Sequence, residues 1–96
     1  MSEPIIRRRL IFSGRVQGVG FRWRARQAAD AVGATGWVRN DRGGTVRMEL
    51  QGSEAQLDRV IDLLGRARWI RIDDIDAHRI PVETNERDFI ILDDEW

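Results

Sequence analysis

The stretch Gly14-Arg15-Val16-Gln17-Gly18-Val19-Gly20-Phe21-Arg22 decides how the rest of the chain reads. Ahead of it, Arg8 to Ser13 places Leu10 and Phe12 on one side of an extended segment, the period-two pattern of a strand. Behind it, Phe21, Ala25, Ala28, Ala29 and Val32 recur at helical spacing, and Gly33 offers a stop. A strand that feeds a Gly-rich turn into a helix N-terminus makes an anion site. Backbone N–H groups are exposed in such a turn, and the helix dipole puts partial positive charge there. Arg22 adds a full charge and a planar fork of donors suited to phosphate. The string has no Gly-Lys-Ser/Thr ending of a nucleotide P-loop and does not complete G-x-G-x-x-G.

Working outward, the first strand is expected over about residues 7–13 and the first helix over about 22–32. Thr35 to Asn40 reads as a second strand, and Asp41-Arg42-Gly43-Gly44 as a turn, since paired glycines accept positive φ. In Thr45 to Gln51, Val46, Met48 and Leu50 alternate with Arg47, Glu49 and Gln51, so one face is buried and one wet. These two strands form a hairpin. Ser53 and Gln56 have the spacing of a capping box, and Leu57, Val60, Ile61 and Leu64 mark the buried stripe of a second helix that Gly65 ends. Ile72 to Ile80 is expected as a strand of imperfect alternation, Pro81 to Arg87 as a loop, and Phe89 to Leu92 as a short last strand. The order β-α-β-β-α-β plus one strand predicts an α+β, ferredoxin-like sandwich with two helices on one face of an antiparallel sheet. Residues 1–96 read as a single domain.

Composition narrows the possibilities. There is no cysteine, which removes disulfides, thiolate catalysis and cysteine-held metals together. One histidine, His78, makes a poor zinc site, and Asp73, Asp74 and Asp76 lack EF-hand spacing. No apolar run is long enough to span a membrane, and Met1 to Leu10 holds no signal-like core, so a cytoplasmic location is the expectation. The net charge is zero but uneven. Residues 1–26 carry seven arginines against Glu3, and from Asp73 onward nine acids face Arg79 and Arg87. The basic end could attract phosphate or nucleic acid, or the two ends could neutralise one another in the fold. Arg7-Arg8-Arg9, at alternating strand positions, reads as surface charge.

With a second segment in view, the chain resembles the acylphosphatases. Gly14 to Arg22 is the first signature, and Gly36-Trp37-Val38-Arg39-Asn40 with Gly44-Thr45-Val46 is the second. The resemblance implies hydrolysis of the carboxyl–phosphate bond of an acylphosphate to a carboxylate and inorganic phosphate. It implies no metal and no cofactor; no membrane partner is expected, nucleic acid is not the expected partner, and a monomer is expected. It also implies that Arg22 binds the substrate phosphate and Asn40 positions the attacking water. The phosphate cradle falls on the backbone of Val16, Gln17, Gly18, Val19, Gly20 and Phe21. Where the family often has a Gly-Pro pair after the second helix, this chain has Arg66-Ala67-Arg68-Trp69.

Two readings compete. One is a non-catalytic nucleic-acid or ligand-binding module on the same fold, favoured by the basic N-terminal third. Against it, no RNP1-like string and no set of aromatics on neighbouring central strands is present. The other is a phosphate-binding domain within a larger assembly, as in carbamoyl-transferring maturation proteins, against which the short length argues. The acidic tail Asp93-Asp94-Glu95-Trp96 is assigned no role.

Overall fold

The computed structural model describes residues 3–94. The order is β1 (Ile6–Arg15), α1 (Phe21–Val32), β2 (Thr35–Asn40), β3 (Val46–Gly52), α2 (Glu54–Gly65), β4 (Arg71–Ile80) and β5 (Phe89–Ile91). The strands form one sheet in the order β4-β1-β3-β2-β5. All neighbours are antiparallel except β5, which runs parallel to β2, so the last strand turns the expected antiparallel sheet into a mixed one. The residues Glu95 and Trp96 of the acidic tail lie outside the described part.

One face of the sheet is covered by both helices. Leu10, Phe12, Val38, Val46, Met48 and Leu50 project from it without exposure. They meet Phe21, Ala25, Ala28 and Ala29 of α1 and Leu57, Val60 and Leu64 of α2. Alanines on the buried stripe let α1 lie close to the strands and beside α2. The expected capping box is formed: the Gln56 amide N–H donates to Ser53 Oγ at 3.2 Å, and the Ser53 N–H donates to Gln56 Oε1 at 2.7 Å. Gln56 Nε2 also donates to the carbonyl of Val32 at 2.7 Å, fixing the start of α2 against the end of α1.

The other face is crossed by the chain itself. β4 and β5 lie at opposite edges, so residues 81–88 must pass over β1, β3 and β2. Gln51 holds this segment through its own side chain, donating to the Glu83 carbonyl at 3.0 Å and accepting from the Glu83 N–H at 2.8 Å. Arg7 lies under it and is 2% exposed, which corrects the surface reading of this arginine. Its guanidinium donates to Glu49 at 2.9 Å, to Gln51 at 3.2 Å and to both carboxylate oxygens of Glu86 at 2.7 and 3.1 Å. Burial pulls the Arg7 pKa down, but the hydrogen bonds to Glu86 and Glu49 pull it further up. The group ends above its ordinary value and stays charged.

β1 continues past its expected end at Ser13. Its register against β4 shifts between Ser13 and Gly14, and the strand runs on to Arg15 before the turn begins. Gly36 sits where β2 must approach β3 most closely. Its φ is +141°, and a Cβ there would overlap the carbonyl oxygen of Glu49, a backbone atom that cannot yield. Gly36→Ala is therefore expected to cost about 3 kcal/mol or more, from backbone strain and overpacking together. Urea denaturation would show the midpoint fall by the corresponding amount.

Candidate functional site

Three adjacent strands bring the two signatures to one end of the sheet. Phe12 of β1 lies opposite Val46 of β3, and Val46 lies opposite Asn40 of β2. Residues in one such row point to the same face, so Asn40 projects to the helix side, beside two fully buried apolar side chains. The Gly-rich turn leaves β1 at this same end. Phe21 opens α1 and packs on Phe12 with ring centroids 4.9 Å apart, which seats the helix start over the row.

The turn is fastened to the hairpin by Gln17. Its Nε2 donates to the carbonyls of Asp41 and Thr45, each at 2.8 Å. These two residues are already joined, since the Asp41 N–H donates to the Thr45 carbonyl at 2.9 Å. The Asp41 side chain resolves a local conflict as well. Arg39 and Arg47 lie directly opposite on β2 and β3, a repulsive pairing. The Asp41 carboxylate accepts from Arg39 Nε at 3.1 Å and from Arg47 Nε at 2.9 Å. One residue thus closes the hairpin, neutralises its stem and accepts the anchor of the first signature.

The start of α1 differs from that of α2. Gly20 is its N-cap, with φ +79°, a left-handed conformation that glycine adopts without penalty. It provides no capping side chain, and no acid stands in the first turn. The α2 terminus is satisfied by its own Ser53 and Gln56, whereas no side-chain cap hydrogen bond closes the α1 terminus.

Val16, Gly18, Gly20, Phe21, Arg22, Trp23, Asn40 and Ile91 line one open cavity of about 250 Å³. Arg22 and Asn40, from separate signatures, therefore face the same space, together with the turn. Gln17 is spent on anchoring the turn, and Val19 packs partly buried against the core. Asn40 is 6% exposed, yet its carboxamide has no hydrogen-bond partner among the described residues. No side-chain nitrogen or oxygen there is both fully enclosed and unpaired, so that carboxamide meets solvent in the cavity. Arg22 is half-buried, and its Nη1 donates to the Asp94 carboxylate. This contact joins residues 72 apart in sequence. Asp94, Trp23 and the anchoring role of Gln17 were not found by sequence reasoning. A long side chain at the second position of a Gly-rich turn was the available signal for Gln17; Asp94 had none.

His78 lies on the edge strand β4, exposed and paired with Asp76 at 2.9 Å, away from the cavity-lining residues. Among the described residues no group of three or more His, Asp or Glu side chains is arranged to hold a metal ion. No helix is long and apolar enough to cross a membrane.

The acylphosphatase family model matches residues 8–91, spanning both signatures and all of the sheet but the first two residues of β1. The chain belongs to the acylphosphatase family. It is an enzyme of that family by the same comparison. A curated acylphosphatase of Clostridium acetobutylicum is 41% identical over 80 residues, covering 82% of this chain and 88% of the relative. The crystal structure of acylphosphatase from Bacillus subtilis superposes with a TM-score of 0.83 at 30% identity, over 91% of this chain and 98% of that one. Full-length HypF, crystallised in a phosphate- and nucleotide-bound form, contains the same fold: TM-score 0.86 at 28% identity, over 99% of this chain but only 13% of HypF. The ferredoxin-like α+β architecture is thus shared with acylphosphatases of known structure.

The Gln17 anchor yields a stability test. Gln17→Ala leaves two carbonyls without their donor and is expected to cost about 1–2 kcal/mol. Gln17→Glu should cost more at neutral pH, because an anionic carboxylate replaces the donor facing two carbonyl oxygens. Urea titrations at pH 7 and pH 4 would reveal the Glu variant recovering on acidification, as protonation restores a donor.

Proposed function

We propose that the chain hydrolyses acylphosphates to a carboxylate and inorganic phosphate. The phosphoryl oxygens are held by Arg22 and by the backbone amides of Val16, Gln17, Gly18, Val19, Gly20 and Phe21, and the attacking water is oriented by Asn40. The observation that carries this reading is the convergence of Arg22, the Gly-rich turn and an unpartnered Asn40 carboxamide on one cavity, within the acylphosphatase family.

The chemistry asks for little more. The leaving group is a carboxylate whose conjugate acid has a pKa of about 4, so it departs without a strong general acid. Phosphoryl transfer runs through a loose transition state with charge spread over the equatorial oxygens. Preorganised donors around that group, and a water held in line, supply most of what catalysis requires. An uncapped helix start and a guanidinium are donors of the right sign. A carboxamide can accept a hydrogen bond from the water and donate one to a phosphoryl oxygen, which fixes direction without abstracting a proton. The proton passes to a substrate oxygen or to solvent. His78 takes no part, on its exposed edge strand.

The basic N-terminal third gives little support to a nucleic-acid module. Arg7 is buried against Glu49 and Glu86, Arg8 pairs with Asp58 and Glu54, Arg22 with Asp94 and Arg26 with Asp30. Four of the seven N-terminal arginines are thus paired, two of them with the acids Glu86 and Asp94 of the C-terminal end.

Benzoyl phosphate hydrolysis in the presence and absence of EDTA is the direct assay, with turnover expected to persist in chelator. Arg22→Ala should lower the rate by roughly 10²–10³ or more, the scale of losing one oxyanion donor. Arg22→Lys should restore little, because the planar fork is gone. Asn40→Ala should lower kcat more than it raises KM. Near-normal turnover by Asn40→Ala would remove the water-orienting role.

A further inference from the structure

We infer that Trp23, with Ile91, forms a subsite for the acyl group and sets how strongly this enzyme discriminates an aromatic acyl group from acetyl. The inference rests on the proposed function and names its substrate class.

Trp23 is an unusual residue for its place. It follows Arg22 directly in the first turn of α1, and it is 58% exposed. The buried stripe of α1 consists of Phe21, Ala25, Ala28 and Ala29, so Trp23 takes no part in holding the helix to the sheet. The ring has no stacking partner and no cation over it among the described residues. Trp37 and Trp69 are each covered by a neighbouring guanidinium, Arg39 at 5.3 Å and Arg68 at 5.6 Å. Trp23 is the one described tryptophan left with bare faces, and it lines the same cavity as Arg22 and Asn40.

That cavity has two chemistries. Arg22, Asn40, Gly18 and Gly20 offer charge, a carboxamide and backbone; Val16, Phe21, Trp23 and Ile91 offer apolar surface. Val16 and Phe21 are buried in the core, so the exposed apolar rim is made by Trp23 and the partly buried Ile91. A substrate whose phosphoryl group occupies the polar part carries its acyl group outward, next to this rim. The methyl of acetyl phosphate offers a ring almost nothing. A benzoyl group offers a flat π-face that stacks on the indole, an arrangement whose geometry and area together are worth about tenfold in affinity. Trp23 is exposed and outside the buried stripe of α1, so its removal acts on selection without touching the fold.

The test measures kcat/KM for benzoyl phosphate and acetyl phosphate with wild type, Trp23→Ala and Trp23→Phe. Wild type is expected to favour benzoyl phosphate. Trp23→Ala should reduce that preference about tenfold, chiefly through KM, and Trp23→Phe should retain most of it. Benzylphosphonate, which cannot be hydrolysed in this way, should quench wild-type tryptophan fluorescence and lose that effect in Trp23→Ala, with the urea midpoint unchanged. A wild type that hydrolyses both substrates with a preference that Trp23→Ala leaves intact overturns this inference alone. So does a wild-type dimer that Trp23→Ala turns into monomer with selectivity unchanged. A wild type that hydrolyses neither substrate overturns the proposed function and this inference with it.

Discussion

The site depends on one amide group bonded to two carbonyls. Gln17 Nε2 reaches from the Gly-rich turn to Asp41 and Thr45, the two residues that close the β2–β3 hairpin. Arg22 and Asn40 belong to segments separated by a helix and a strand, and a turn rich in glycine has little rigidity of its own. The Gln17 contacts, together with Phe21 seated on Phe12, convert that turn into a fixed edge of the cavity. Preorganised donors are worth more than donors that must be ordered by each substrate, because the ordering entropy is spent in folding.

The direction of β5 has a comparable consequence. β2 begins at the end of the sheet far from the Gly-rich turn, and β5 runs alongside it in the same direction. Residues 91–94 therefore lie at the site end: Ile91 lines the cavity, the Leu92 N–H donates to the Val38 carbonyl at 2.9 Å, and Asp94 reaches Arg22. An antiparallel last strand would have carried these residues away. The loop that makes this direction possible crosses the open face and encloses Arg7, so the buried Arg7–Glu49–Glu86 cluster and the placing of Asp94 at the candidate site share one topological cause.

Local pattern made most of the fold legible before any coordinates. β3 alternates cleanly because it is central and covered on one side only, and α2 announces itself through a capping box that forms as read. β4 alternates poorly because it is an edge strand with little of either face enclosed, and its charges suit an edge that must resist pairing with other chains. Arg7 was misread for a different reason. Strand periodicity states which residues share a face, not what a later loop lays over that face. The same limit hid Asp94, whose meaning depends on a partner 72 residues away. Arg22 and Asn40 could be singled out because each stands in a dense local signature, whereas Trp23 differs from a core tryptophan only in its exposure.

In the proposed function, the Arg22–Asp94 pair sets how the guanidinium meets a phosphoryl group. An unpaired arginine on the first turn of a helix would sample many rotamers, and fixing one costs free energy on binding. The Asp94 carboxylate engages a single nitrogen, Nη1, and an arginine carries five N–H donors in a rigid plane. Holding that plane by one corner restricts the side chain while leaving other donors for a phosphoryl group. The same carboxylate places negative charge beside the position of a dianion, which opposes tight retention of inorganic phosphate. The first effect lowers the cost of gripping a phosphoryl group and the second limits how long the product is kept, so the pair balances the two. Asp94, unassigned from the sequence, thereby belongs to the same electrostatic unit as Arg22.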